Sequence, residues 1–125
     1  MSEYQEDLKY NKSHTWLKLE QDVAILGAIQ QSIDNAQDVI MIKLPEIGQI
    51  IEIGDIYASI ESVKWSGHLE SPVTGEVIEI NRELDENPEK LNEDAYKNWI
   101  IKIKHTNISQ ELMNAKEAKK EYEDT

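Results

Sequence analysis

The chain is expected to be mainly β, with short helices and a C-terminal helix. Three observations lead there. Along most of the chain, apolar residues come in short runs or alternate with polar ones, which is the periodicity of strands. A six-residue pattern, Gly48-Gln49-Ile50-Ile51-Glu52-Ile53, returns 27 residues later as Gly75-Glu76-Val77-Ile78-Glu79-Ile80. Helical spacing is confined to residues 29–36 and to the tail beyond residue 107.

The elements follow in order. Trp16-Leu17-Lys18-Leu19 and Val23-Ala24-Ile25-Leu26, separated by Glu20-Gln21-Asp22, read as a hairpin. Ile29, Ile33 and Ala36 fall at i, i+4 and i+7 and predict a short amphipathic helix ending near Gln37. Residues 39–44 form a β-rich run closed by Pro45 and Gly48, and residues 51–60 predict short, half-buried strands broken at Gly54. Two copies of the repeat are too few for a solenoid. They predict two similar β-layers related by an approximate two-fold, with the segment between them projecting as a hairpin, although strand openings of Gly followed by alternating Ile and Glu would look alike without any symmetry. Residues 81–88 carry turn chemistry, and residues 99–104 return as a strand. In the tail, Asn107 or Ser109 is expected to cap a helix with Ile108, Leu112, Ala115, Ala118 and Tyr122 on its inner face.

Composition narrows the function. At 125 residues there is room for one ordinary domain, which argues against a two-domain enzyme. A formal net charge of −12 repels phosphate backbones and anionic lipid headgroups. Neither nucleic acid nor a membrane is therefore expected as a partner, whereas a protein with a basic docking face is. No apolar run approaches the roughly 18 residues that span a bilayer, and the start is acidic where a signal peptide would be basic, so a cytoplasmic location is expected. With no Cys the chain has no disulfide framework, thiolate metal site or nucleophilic thiol, and any redox chemistry must be borrowed.

Catalytic signatures are missing. There is no glycine-rich phosphate loop, no closely spaced His pair for a metal and no nucleophile elbow. His14, His68 and His105 are far apart in sequence, and acidic pairs such as Glu46/Glu52 and Glu93/Asp94 read as solvated surface. What stands out is Glu61-Ser62-Val63-Lys64-Trp65-Ser66-Gly67-His68, between the repeat copies. A lysine at the tip of a hairpin offers a reachable amine on a four-carbon stem, as a modification site requires. Taken alone, it equally fits an ordinary solubilising lysine.

Residues 61–64, together with residues 71–81, resemble the lipoyl-attachment region of the glycine cleavage system H-protein family. The resemblance extends to Tyr10-Asn11-Lys12-Ser13-His14-Thr15-Trp16 as an opening motif, to residues 38–45 as a central strand, to Pro88, Leu91, Asn92, Tyr96 and Trp99 as a later block, and to Glu111-Leu112-Met113 as the terminal region. In that resemblance Glu111-Leu112-Met113 belong to the terminal helix. The resemblance covers roughly residues 10–123 and implies a barrel-sandwich hybrid, the flattened β-barrel of biotinyl and lipoyl carriers. It also implies lipoic acid in amide linkage on Lys64, in a carrier that is not itself an enzyme. Residues 10–125 would be the carrier domain and residues 1–9 an acidic N-terminal extension. Glu61, Ser62, Val63, Trp65, His68 and Thr15 are the expected contacts for the arm or for partners, with no catalytic residue and no metal. Glu61, Glu70 and Glu76 predict an acidic collar around the tip. A dithiol arm needs only an anchor, reach and a docking face from the protein.

Departures from the family pattern bear on the cargo. The opening motif usually reads His-Glu-Trp, and Thr15 stands where the acid is usual; His68 stands where an Asp is usual past the lysine. In the family those acids lie near the aminomethyl-loaded end of the arm, and a protonated amine favours a nearby carboxylate. Trp65 replaces a small residue and would pack over the arm, meet a partner or plug the hairpin. Ala95 and Asn98 stand where Pro and Gly are usual. These changes, the Lys-Trp pair among them, resemble the lipoate-binding proteins of heterodisulfide-reductase-like sulfur oxidation, whose sulfur cargo needs no acid partner, and the sulfur pathway is placed ahead of glycine cleavage on this ground. Partners implied are a lipoate-protein ligase or lipoyl synthase system, and then either a heterodisulfide-reductase-like complex or glycine decarboxylase, aminomethyltransferase and dihydrolipoyl dehydrogenase. A biotinyl carrier is a remote alternative, because its usual Met-Lys-Met tip is here Val63-Lys64-Trp65.

Overall fold

A computed structural model describes residues 4–123. Its elements are β1 (Lys9–Tyr10), β2 (Thr15–Glu20), β3 (Val23–Ala28), α1 (Gln30–Ala36), β4 (Val39–Lys43), β5 (Ile50–Ile51), β6 (Ile56–Ser62), β7 (Ser66–Glu70), β8 (Val73–Ile80), α2 (Glu83–Glu86), α3 (Lys90–Glu93), β9 (Ile101–Ile108) and α4 (Ala115–Glu123). One sheet runs β1-β2-β3-β9-β8-β5 and a second runs β4-β6-β7. The fold is the mainly β barrel-sandwich expected from the sequence. No helix among the described residues is long and apolar enough to cross a membrane.

Two cores explain the apolar runs. Side chains alternate across a strand, so Leu17, Leu26, Val77, Ile101 and Ile103 turn to one face of the large sheet and meet Ile42, Ile60 and Leu69 of the small one. The opposite face of β2 and β3 carries Trp16 and Ile25, which pack with Tyr4, Leu8, Tyr10, Ile29, Met113 and Ala118. β3 is thus buried on both faces and reads as an unbroken apolar run. Residues 1–3 of the acidic N-terminal segment lie outside the described residues, whereas Tyr4 and Leu8 are buried in the second core.

The repeat copies do meet. Ile50 pairs with Glu76 and Ile51 with Gly75, antiparallel, and Gly48 N–H donates to the Val77 carbonyl (2.7 Å). They do not build two similar layers, however. A turn in which the Asp55 carboxylate accepts the Glu52 N–H (2.9 Å) ends the first copy after two strand residues and sends the chain into the small sheet. The second copy lies wholly within the eight-residue strand β8, which pairs along β9.

Three other expectations change. Residues 81–88 contain α2, followed by α3, because each short helix drives one leucine, Leu84 or Leu91, fully into the core. Four-residue helices are too short to leave a helical period. β9 runs on to Ile108, paired with Val73, so neither Asn107 nor Ser109 caps the tail helix. The cap is Asn114, whose side-chain oxygen accepts the Glu117 N–H (2.8 Å) while the Glu117 carboxylate accepts the Asn114 N–H (2.9 Å), a reciprocal capping box with Asn in place of Ser or Thr. The hairpin between the repeats, β6 and β7, forms as expected.

The central pairing of β8 and β9 depends on Gly75, where an added Cβ would overlap the Lys104 carbonyl oxygen and press on Ile103. Gly75→Ala should cost about 1–3 kcal/mol through overpacking. Urea denaturation should show a lower midpoint with an unchanged slope; an unshifted midpoint would mean that β9 gives way without cost.

Candidate functional site

The β6–β7 hairpin narrows to the three residues Val63, Lys64 and Trp65. Within the turn, Ser62 N–H donates to the Trp65 carbonyl (2.9 Å). Ser62 Oγ donates to that same carbonyl (2.7 Å) and accepts the Trp65 N–H (3.1 Å). Two further bonds tie the turn to the body: Val63 N–H to the Asp38 carbonyl (3.0 Å) and Lys64 N–H to the Ala36 carbonyl (3.1 Å). The backbone of Lys64 is therefore held on the end of α1 and the segment leading into β4, while its side chain is exposed. Among the described residues its ammonium has no ion-pair partner.

Beside Lys64 lies a cleft of about 370 Å³ between the turn, α1 and α4. Trp65 forms part of its wall, and Gly67 makes that possible, since a Cβ there would overlap the indole. The ring of His14 meets Trp65 edge to face at 5.0 Å and lies 5.4 Å from the ring of Tyr122. His14 Nδ1 pairs with Ser32 Oγ (2.8 Å). Tyr122 accepts the His14 N–H (2.8 Å) and donates to the Asn11 carbonyl (2.6 Å). The cluster thus joins the opening motif, the lysine turn, α1 and α4. Burial holds the His14 imidazole below its usual pKa and pushes the Tyr122 phenol up to about 12, so both are uncharged at neutral pH.

The predicted contact residues are not all gathered at this cleft. Trp65 lines it with Lys64; Ser62 shapes the turn, and Val63 is exposed at the tip. Thr15 is fully buried, with its Oγ1 2.9 Å from the Tyr57 hydroxyl. His68 sits along the hairpin opposite Ser59, its Nδ1 2.9 Å from Ser59 Oγ, and does not line the cleft. Nor does the acidic collar close. Glu61, opposite Ser66, stays near the tip, but Glu70 pairs with Ile56 at the base of the hairpin and Glu76 with Ile50 on the other sheet. Ser32, Tyr122 and Glu121 line the cleft without having been singled out as site residues. Only the inward position of Tyr122 on the tail helix had marked any of them in the sequence. Among the described residues, no group of three or more His, Asp or Glu could hold a metal ion.

A family model described as Glycine cleavage H-protein matches residues 8–125. The probable glycine cleavage system H protein of Pyrococcus furiosus is 42% identical over 115 residues, covering 91% of this chain and 86% of that protein. The glycine cleavage system H protein of Halalkalibacterium halodurans is 40% identical over 122 residues and covers 95% of each chain. The crystal structure of a glycine cleavage system H protein from Mycobacterium marinum superimposes with a TM-score of 0.86 at 22% identity, over 92% of this chain and 95% of that one, a likeness of fold.

The buried histidine gives a measurable signature. Its folded pKa lies below the ordinary 6.5, so as the pH falls through that value the unfolded chain takes up the proton first, and His14 subtracts stability. An NMR titration should place the His14 midpoint below 6.5. Between about pH 7 and about pH 5, His14→Asn, which tolerates the left-handed backbone (φ 66°), should lose less stability than the wild type. A midpoint at or above 6.5 would contradict the burial argument.

Proposed function

Because the chain belongs to the glycine cleavage H-protein family, we propose that it is a lipoyl carrier, with lipoic acid joined through an amide to Lys64 Nζ and an aminomethyl group as its cargo. The observation that carries this reading is the turn itself, with a backbone fixed at both ends and an exposed, unpaired ammonium beside a cleft. An acylating enzyme must reach the amine without unfolding the tip, and a fixed backbone limits the ordering cost of being recognised. When attached, the lipoyl group supplies a dithiol that exchanges electrons and holds a substrate fragment. The protein supplies anchor, reach and wall, and no thiol of its own competes for the sulfur, since the chain has no Cys.

The order of pathways expected from Thr15, His68 and the Lys64-Trp65 pair is reversed. Relatives that are 40–42% identical over most of the chain are named for glycine cleavage, and they support the aminomethyl cargo ahead of sulfur. The partners on this reading are glycine decarboxylase, aminomethyltransferase and dihydrolipoyl dehydrogenase, with a lipoate-protein ligase or lipoyl synthase system for attachment. The net charge of −12 suits encounters with several clients in turn, because complementary charge speeds association more than it prolongs the complex.

Co-expression with a lipoate-protein ligase, followed by intact-mass measurement, tests the anchor. The wild type should gain one lipoyl increment and Lys64→Arg none, with an unchanged thermal midpoint because an exposed cation is kept. An increment persisting on the variant would move the site elsewhere. Glycine decarboxylase should then load the lipoylated wild type with carbon from labelled glycine, and a refusal would count against the glycine pathway.

A further inference from the structure

Thr15 and His68, the two positions at which the family usually has an acid, do not line the cleft beside Lys64. Thr15 is buried with its hydroxyl bonded to Tyr57, and His68 is bonded to Ser59. The cleft beside Lys64 nevertheless contains a carboxylate. Glu121, on the last turn of α4, lines it together with Lys64, Trp65, His14 and Tyr122, and among the described residues no other Asp or Glu does so. Its place is fixed by its neighbour: Tyr122 is bonded to Asn11 and His14, and Ala118, one turn earlier, is fully buried. Glu121 itself is exposed and, among the described residues, is in no ion pair.

Acylation changes the balance of charge in this cleft. The free Lys64 ammonium and the Glu121 carboxylate line it together, but an amide at Nζ removes the cation. His14, uncharged at neutral pH, does not replace it. The carrier bearing its arm therefore has a cleft with one unmatched negative charge, and a protonated amine at the end of the arm restores neutrality. We propose that Glu121 is the cargo-binding carboxylate of this carrier, pairing with the ammonium of the aminomethyl group when the arm folds into the cleft. This rests on the glycine cleavage reading above for the identity of the cargo. The carboxylate function is supplied from the C-terminal helix rather than from the opening motif and the residue past the lysine. The pair sits at the mouth of an open cleft, so its contribution is small and screened by salt.

The test separates this claim from the pathway. Lipoylated protein is reduced, and its thiol is condensed with formaldehyde and ammonium, releasing water; the cargo is thereby installed without glycine decarboxylase. The lifetime of the cargo is followed by intact mass, and the amide resonances of α4 are followed by NMR. In the wild type, loading should shift the Glu121 and Tyr122 amides. Glu121→Gln should shorten the lifetime roughly two- to fivefold at low ionic strength, and the difference should vanish near about 1 M salt. Glu86→Gln, which removes the same charge beside the Met41 groove on another face, should behave as wild type. Equal lifetimes for wild type and Glu121→Gln at low salt, or equal shortening in both variants, would overturn the assignment. Loading by glycine decarboxylase is scored separately on the wild type, and its failure there would count against the pathway and not against Glu121.

Discussion

Two backbone hydrogen bonds, Val63 N–H to Asp38 and Lys64 N–H to Ala36, fix the only stretch of the hairpin that leaves the sheets. A three-residue turn at the tip of two strands would otherwise be free to fray, since it buries no backbone ladder of its own. The bonds tie it to the C-terminal end of α1 and the entry to β4. That corner is held in turn by Asn92, whose side chain accepts the Val39 N–H (2.9 Å) and donates to the Gln37 carbonyl (2.8 Å). Leu91 beside it is fully buried. The position of the Lys64 amine therefore depends on the helical insert between β8 and β9 as much as on the hairpin. The side chain takes no part in these bonds and is exposed, as the proposed attachment requires.

The aromatic cluster links this fixed point to both ends of the chain. His14 spans the distance between the Trp65 indole and the Tyr122 ring, and Tyr122 closes the circuit onto Asn11. The C-terminal helix is thus a wall of the cleft and not merely a cover for the sheet. On the proposed attachment, an uncharged wall with one carboxylate among the described residues goes from balanced to negative, and the step that adds the arm also prepares the cleft for the proposed cationic cargo.

Much of this was legible in the sequence. The hairpins, α1, the strand alternation and the lysine turn followed from period and turn chemistry, because each is long enough for its pattern to show. Residues 83–86 and 90–93 were not, since a single helical turn burying one leucine has no period. The tail helix was placed too early because the strand preceding it extends to Ile108, and that extension is decided by pairing with Val73, a contact 35 residues away in sequence. The cleft was the least visible feature. His14, Ser32 and Glu121 come from three separate elements, and Thr15 and His68 were expected there on resemblance although the strands turn one into the core and tie the other down the hairpin.

A carrier tip of the proposed kind needs a fixed backbone beneath an exposed side chain. Amide hydrogen exchange at Val63 and Lys64 measures that fixity directly. Both amides should be protected to a degree approaching that of β6, and Ser62→Ala, which removes the side-chain bonds across the turn, should weaken that protection without unfolding the sheets. Exchange at these two amides at the rate of an unstructured peptide, with β6 still protected, would contradict it.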